Sequence, residues 1–297
     1  MEQNGISTII SPSENSGKSK NIGITLRSNG SFQSAKEKFK APWKKMEEDS
    51  TWDKLVAVLG EVIGTAMLVF LGCAICVGSL GHPLHAIQIP LAFGLAVMIA
   101  IQSVGHISGA HLNPAVTLAT VILGKTTLAM AGFYVIAQCL GSLIGFGLLK
   151  MITPSNYLHD GDPDTKDSFC TTHMNENIQD LTFAHGFGAE ALATGILVFV
   201  ACSIWDSRNA KNTDSVPIKF GLTITMLAFA FVPYTGCSMN PARSFGPAVW
   251  NNYWNHHWLY WVGPLVGSAI ATLIYRFLFS PKTKNQHDSE TFNDVEA

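Results

Sequence analysis

Six stretches of about twenty predominantly apolar residues recur along the chain, near 55–78, 86–105, 127–149, 186–205, 217–236 and 257–279. At 1.5 Å per residue, each is long enough for a helix to cross a hydrocarbon layer about 30 Å thick. Polar sequence frames them: the first 51 residues, a long third connection over 150–185, and the tail 281–297. Two further apolar runs are too short to span. Each opens on Asn-Pro-Ala, at 113–115 and again at 240–242. Asn suits an N-cap because its side chain accepts from an orphan backbone N–H, and Pro suits the first helical position, where its missing N–H costs nothing. The first run, Asn113 to Leu123, meets Gly124, a good residue just past a helix end. About eleven residues give roughly 16 Å, half a bilayer core. Two such half-helices meeting tip to tip would cross once between them. A single copy would read as a capped turn in a loop; two copies in matching contexts argue otherwise.

The pattern repeats in two halves, about 52–150 and 184–280. Glu61 precedes Asn113 by 52 residues and Glu190 precedes Asn240 by 50, while Thr65 and Thr194 each follow their glutamate by four. Each half holds three spans, an odd number, so the second half is inverted relative to the first. Inverted repeats with broken helices at their interface are the membrane arrangement for a central permeation site. The predicted fold is an all-α membrane protein of six transmembrane helices plus two re-entrant half-helices.

Composition agrees. Only 13% of the 297 residues are charged, against about 25% in soluble domains. From Ser79 to Gly124 there is no Asp, Glu, Lys or Arg. Of 19 Lys and Arg, nine precede Leu55, whereas the third connection carries six acidic residues from Asp160 to Asp180 against Lys166 and the edge residue Lys150. The positive-inside rule then places both termini in the cytoplasm, and Asn29-Gly30-Ser31 faces the wrong side for glycosylation. The first 51 residues, rich in Ser, Asn and Gly, read as a largely disordered tail, although 34–48 is basic with Phe39 and Trp43 interleaved and suits an anionic leaflet as well as solvent. No N-terminal apolar core marks a signal peptide. The six cysteines show no zinc or redox spacing, and Cys73-Ala74-Ile75-Cys76 reads as packing within an apolar span.

Irregular backbone at membrane depth survives only where protein or a water-filled cavity satisfies it. The approach segments 105–112 and 234–239 are therefore expected to line a pore with carbonyl oxygens. The amides of Asn113 and Asn240 can donate to one passing oxygen between two positive helix N-termini, and Arg243 adds a fixed cation facing the cavity. Glu61 and Glu190, inside spans, are functional candidates by default; their symmetric placement favours accepting hydrogen bonds from the re-entrant backbone over proton coupling. His111 and His106 flank the first approach and read as loop supports, with pH sensing as the alternative. His185, His256 and His257 support no metal site, Ser207 reads as a solvated loop serine, and the small residues Gly141, Gly145, Gly263 and Gly267 read as helix-packing positions.

The run His-Ile-Ser-Gly-Ala-His-Leu-Asn-Pro-Ala-Val-Thr at 106–117, with Gly-Cys-Ser-Met-Asn-Pro-Ala-Arg-Ser-Phe-Gly-Pro-Ala-Val at 236–249, resembles the aquaporin (major intrinsic protein) family, over about residues 52–280. The resemblance implies a homotetramer with one pore per subunit, passing water and small neutral solutes such as glycerol and urea, with no cofactor, metal or energy source. It implies a selectivity filter at Phe93, Ala228, Cys237 and Arg243. Strict water channels of the family usually carry His where this chain has Ala228, and such an alanine is similar to that of insect-type aquaporins that conduct glycerol. Ser244, where glycerol facilitators place Asp, and Tyr260-Trp261 look like the water branch. A mercurial on Cys237 is expected to obstruct flow.

The leading expectation is a passive channel for water and small neutral solutes that excludes protons and ions, in the plasma membrane. Against it stand a strict water channel, a coupled secondary transporter relying on Glu61 or Glu190, and a non-conducting membrane scaffold. No nucleophile–base pair or metal cluster suggests an enzyme, and nothing suggests a nucleic-acid partner.

Overall fold

Apolar runs uninterrupted by charge form helices because only a helix satisfies every backbone group within one segment of lipid-embedded chain. A computed structural model of the chain describes residues 50–77, 85–158 and 168–280. Eight α-helices follow in order among the described residues: α1 Thr51–Ala74, α2 Gln88–Ser108, α3 Pro114–Ile122, α4 Leu128–Ile152, α5 Phe183–Ile204, α6 Val216–Thr235, α7 Pro241–Asn251 and α8 Leu259–Ile274. Six of the helical segments are long and apolar enough to cross a membrane, α8 continuing through a π-helical turn to Phe279. The expectations for the tail, for 34–48, for Asn29 and for the last residues lie outside the described residues.

The ends of the helices differ from the sequence reading for local reasons. α1 starts at Thr51, ahead of its apolar run, because Ser50 and Asp53 form a reciprocal capping box. α2 runs through Gly105 and stops only at Gly109, whose backbone turns left-handed at φ 83°. Gly236 ends α6 in the same way at φ 73°. Both are glycine because a side chain there would meet its own backbone. The two half-helices are as short as the Asn-Pro-Ala reading requires, nine and eleven residues.

The packing carries the repeat. α1 packs on α4 and α5 on α8 within each half, while α2 meets α6 across the halves. Each half-helix lies on the last span of the opposite half, α3 on α8 and α7 on α4. Matching side-chain bonds fasten both pairs: Ser268 Oγ donates to Ala115 O at 2.6 Å, and Ser142 Oγ accepts from Gly246 N at 3.1 Å. Leu128, Ile136, Leu192, Leu222 and Met226 are exposed on the outer faces, as suits a lipid solvent. Past α5, Asp206 pairs with Arg208 at 2.7 Å and accepts from Tyr275 at 2.9 Å; hydrogen bonding from Arg208 holds its carboxyl below the usual range.

In lipid there is little hydrophobic drive between helices, so close backbone approach sets affinity. At the α5–α8 crossing a Cβ on Gly267 would lie 2.0 Å from Ala191 O, a backbone atom with nowhere to go. Gly267→Val is therefore expected to destabilise the channel by about 3 kcal/mol or more. Gly188→Ala, where nothing lies within 4 Å, is expected to be neutral. Thermal unfolding of the two purified variants in detergent checks this; equal melting temperatures would remove the close-packing argument.

Candidate functional site

The two approaches to the half-helices are built alike. After Gly109 and Gly236 the backbone alternates hand, with φ 47° at Ala110 and 55° at Leu112, and 50° at Cys237 and 52° at Met239. Corresponding residues stand 127 apart (110 and 237, 112 and 239, 113 and 240). Non-glycine residues in this region cost about 1 kcal/mol or more each, so something must hold them there.

Two fully buried carboxylates do so. Glu61 Oε1 accepts from Ser108 Oγ at 2.7 Å and His111 N at 2.9 Å, and its Oε2 accepts from Leu112 N at 2.7 Å and Gln138 Nε2 at 2.8 Å. Glu190 Oε1 accepts from Thr235 Oγ1 at 2.6 Å and Ser238 N at 2.9 Å, and its Oε2 accepts from Met239 N at 2.9 Å. The His111 ring stacks edge-on against Tyr134 and lies 3.2 Å from Thr117 Oγ1 through Nδ1. His106 is not among the residues lining the cavity. Thr65 and Thr194 are fully buried, and Thr65 packs close to Gly141 at the α1–α4 crossing.

The half-helices meet at their N-termini. Asn113 Oδ1 caps its own helix through Ala115 N at 2.8 Å, and its Nδ2 donates across to Met239 O at 2.8 Å. Asn240 reciprocates: Oδ1 accepts from Ala242 N and Arg243 N, and Nδ2 donates to Leu112 O at 2.8 Å. An amide nitrogen carries two hydrogens, so each asparagine keeps one donor beyond this exchange. Pro114 and Pro241 open the two helices, with Ala115 and Ala242 wholly buried behind them. The positive ends of two helix dipoles thus face each other at the centre of the bundle.

One cavity runs past this centre. Residues 109–113 and 236–240 line it, as do Phe93, Ala228, Cys237 and Arg243, so all four expected filter positions are brought to one passage. The Arg243 guanidinium sits 4.5 Å from the centre of the Phe93 ring. Its Nη1 donates to Cys170 O at 2.9 Å. Cys237 Sγ turns towards Leu227 O at 3.6 Å, and Ala228 presents only a methyl. At the other end Ile101, Trp205, Val216 and Phe220 make an apolar mouth. Lys125 Nζ donates to Trp205 O at 3.3 Å beside it, and burial pushes that ammonium down to about 8. Burial likewise lowers the His173 imidazole. Among the described residues no group of His, Cys, Asp and Glu is placed to hold a metal ion.

Several contributors escaped the sequence reading. Tyr134, Gln138 and Ser142 lie one turn apart on α4 and all face the site: Tyr134 donates to Ser108 O, Gln138 bridges Glu61 and Thr117, and Ser142 receives Gly246. Polar residues at i, i+4 and i+8 in an apolar span were the available signal. The segment 169–172 was also missed. It fastens to α7 through Phe169 O, Cys170 O and Thr172 Oγ1, which meet Asn251, Arg243 and Ser244. Reading Cys73 as packing alone is corrected: it is bonded to Cys170 across 97 residues. Two cysteines 97 residues apart give no spacing to recognise.

The comparisons agree with this geometry. The sequence model described as major intrinsic protein matches residues 48–275. Mouse aquaporin-4 is 39% identical over 229 residues, covering 76% of this chain and 68% of its own length; the match to human aquaporin-4, at 40%, spans 65% of that protein. Rat aquaporin-1 is 35% identical over 240 residues, covering 78% of this chain and 85% of its own. Among solved structures, the aquaglyceroporin from Plasmodium falciparum superposes with a TM-score of 0.67 at 25% identity, over 76% of this chain and 96% of that one. With its paired half-helices around one central cavity, the chain belongs to the major intrinsic protein family and is a multi-pass membrane channel of the aquaporin type, not an enzyme.

Proposed function

We propose that the channel conducts water together with glycerol, urea or both, and excludes protons and ions. The observation that carries the reading is Ala228 on the wall of the cavity that Phe93 and Arg243 also line, the last two stacked on each other. A methyl in place of an imidazole widens the passage and leaves an apolar wall facing a cation and its ring. A polyol or urea presents hydroxyl or carbonyl groups to Arg243 and carbon to Phe93 and Ala228. At the centre the remaining N–H of Asn113 and of Asn240 can each donate to a solute oxygen. A water so held points its hydrogens away from both asparagines, and the facing helix dipoles raise the cost of a cation there, which supports proton and ion exclusion.

The insect-type likeness rests on the same alanine and belongs to this proposal, as do assembly into a homotetramer and cytoplasmic termini in a plasma membrane. A strict water channel is favoured by one observation: Ser244, in place of an acidic residue, is occupied with Thr172 and Ser238 hydroxyls and offers no charge to a solute.

The experiment is paired swelling of liposomes holding the chain, in hypotonic medium and in isotonic glycerol or urea. The parent is expected to pass water and at least one solute. Ala228→His is expected to cut solute permeability by about tenfold or more while leaving water flux largely intact. Water flux without either solute would make this a strict water channel, and no flux in any medium would point to a scaffold.

The glutamates separate channel from coupled transporter. Seven donors converge on two carboxylates that lie behind the loops and do not line the cavity. Glu61→Gln or Glu190→Gln turns an NH2 towards a backbone N–H, and either is expected to reduce folded channel severely, by about 3 kcal/mol or more. Size-exclusion profiles of the variants check that. Solute flux in the parent is expected to ignore imposed proton and sodium gradients; gradient-driven accumulation would reverse the assignment.

A further inference from the structure

The outer filter is closed on one side by a residue outside its four family positions. Cys170 gives its carbonyl to Arg243 Nη1 at 2.9 Å, and its sulfur lies 3.8 Å from Arg243 Nη2. Its backbone is left-handed at φ 54°, a conformation that a cysteine adopts only under constraint. The constraint is visible. Cys73, near the C-terminus of α1, is bonded to it, and both are almost completely buried. A third sulfur stands beside the bond: Cys76, three residues further along in the turn Ile75–Val77, donates to Cys170 Sγ at 3.5 Å. Three residues are about one helical turn, some 4.5 Å of rise, so the sulfurs of Cys73 and Cys76 offer Cys170 two different anchor points.

We propose that Cys73, Cys76 and Cys170 form a thiol–disulfide exchange site that sets the position of the filter arginine. Cys170 is then a positioning residue for solute selection, acting through Arg243. Exchange requires no oxidant: the Cys76 thiol gives up its proton, its thiolate attacks Cys170 Sγ, the bond to Cys73 breaks, and Cys73 leaves as a thiolate that takes up a proton. Cys170 remains crosslinked but is tied one turn further along. A small external dithiol opens a second route. It becomes a cyclic disulfide and passes two electrons to the Cys73–Cys170 bond. Cys73 becomes a thiol and Cys170 a thiolate beside the Arg243 guanidinium, one proton going to solvent. A guanidinium so close favours the thiolate. The resulting ion pair withdraws positive charge from the passage, so reduction changes which solutes the filter admits.

The proposal rests on the filter reading above, and its test keeps the two separable. The full chain, its Cys73→Ser variant and its Cys73→Ser/Cys76→Ser variant are reconstituted in liposomes. Disulfides are mapped by mass spectrometry of unreduced peptides, and water and glycerol permeabilities are measured with and without dithiothreitol. With oxidised glutathione present, which takes up the two electrons and two protons released and becomes two glutathione thiols, Cys73→Ser is expected to yield a Cys76–Cys170 crosslink. The double variant is expected to lack any crosslink to Cys170 and to shift the glycerol-to-water ratio by about fivefold, the low end of coupling between two sites. Dithiothreitol is expected to shift the parent in the same direction and to leave the double variant unchanged. Absence of the Cys76–Cys170 peptide in Cys73→Ser overturns the exchange site, and this readout does not depend on flux. An unchanged permeability ratio in dithiothreitol-treated parent, with reduction verified by mapping, overturns the link to Arg243; since the parent is already folded, this arm stands even if a variant fails to fold. Absence of glycerol flux in the parent is a failure of the filter reading, and the water permeability with the peptide map then decides the exchange site.

Discussion

A chain that leaves helical geometry in the middle of a bilayer exposes backbone N–H groups to a medium that offers no acceptor. Here the acceptors are two carboxylates, each on the first span of its half and each meeting the loop that arrives about fifty residues later. Glu61 receives His111 N and Leu112 N, and Glu190 receives Ser238 N and Met239 N. Every other feature of the passage depends on those bonds. They hold Ala110, Leu112, Cys237 and Met239 in left-handed backbone, and the alternating hand sets the course of the loop and its carbonyls along the cavity. With the loops held, Asn113 and Asn240 can cap their own helices and at the same time cross to the opposite loop. A buried charge with all its lone pairs occupied is tolerable; one deprived of its donors is among the costliest defects a fold can carry.

The skeleton of this arrangement is visible in the sequence because it is made of local signals. Asn-Pro-Ala writes a helix start, Gly124 follows the short run, six apolar stretches have bilayer length, and the spacings from Glu61 and Glu190 to their asparagines nearly coincide. The odd number of spans per half then forces the inversion. What the sequence conceals is whatever depends on two distant segments meeting. Tyr134, Gln138 and Ser142 read as incidental polar residues in an apolar span until α7 and the Glu61 loop are laid on them. Cys73 and Cys170 carry no mutual spacing, and their bond follows only from Cys170 being brought to the end of α1. The span boundaries slipped by a few residues for a related reason. Gly105 looks like a stop, but the stop falls at Gly109, the residue that must turn left-handed for the loop to reach Glu61.

The inverted repeat also separates the symmetric features of the passage from the asymmetric ones. Position 244 of the second half corresponds to 117 of the first, and both hydroxyls join buried networks, Ser244 with Thr172 and Ser238, Thr117 with Gln138 and His111. One residue earlier the correspondence fails: Arg243 faces the cavity where its counterpart is Val116, which also lines it. The symmetric parts build a passage with equal donors at its centre, indifferent to direction. The asymmetric parts, Arg243 with Phe93 and the segment around Cys170, stand at one end only, and the opposite mouth is apolar. A solute entering at the Arg243 end therefore meets that cation before it reaches the centre, whereas one arriving from the apolar mouth reaches the asparagines first. For a passive channel net flux still follows the gradient alone, so this asymmetry does not set which way molecules go. The asymmetric residues are nonetheless joined to the symmetric network, since Arg243 N–H donates to Asn240 Oδ1 and its guanidinium attracts the Glu190 carboxylate electrostatically, so the cation at one end and the loop-holding carboxylate belong to one structure.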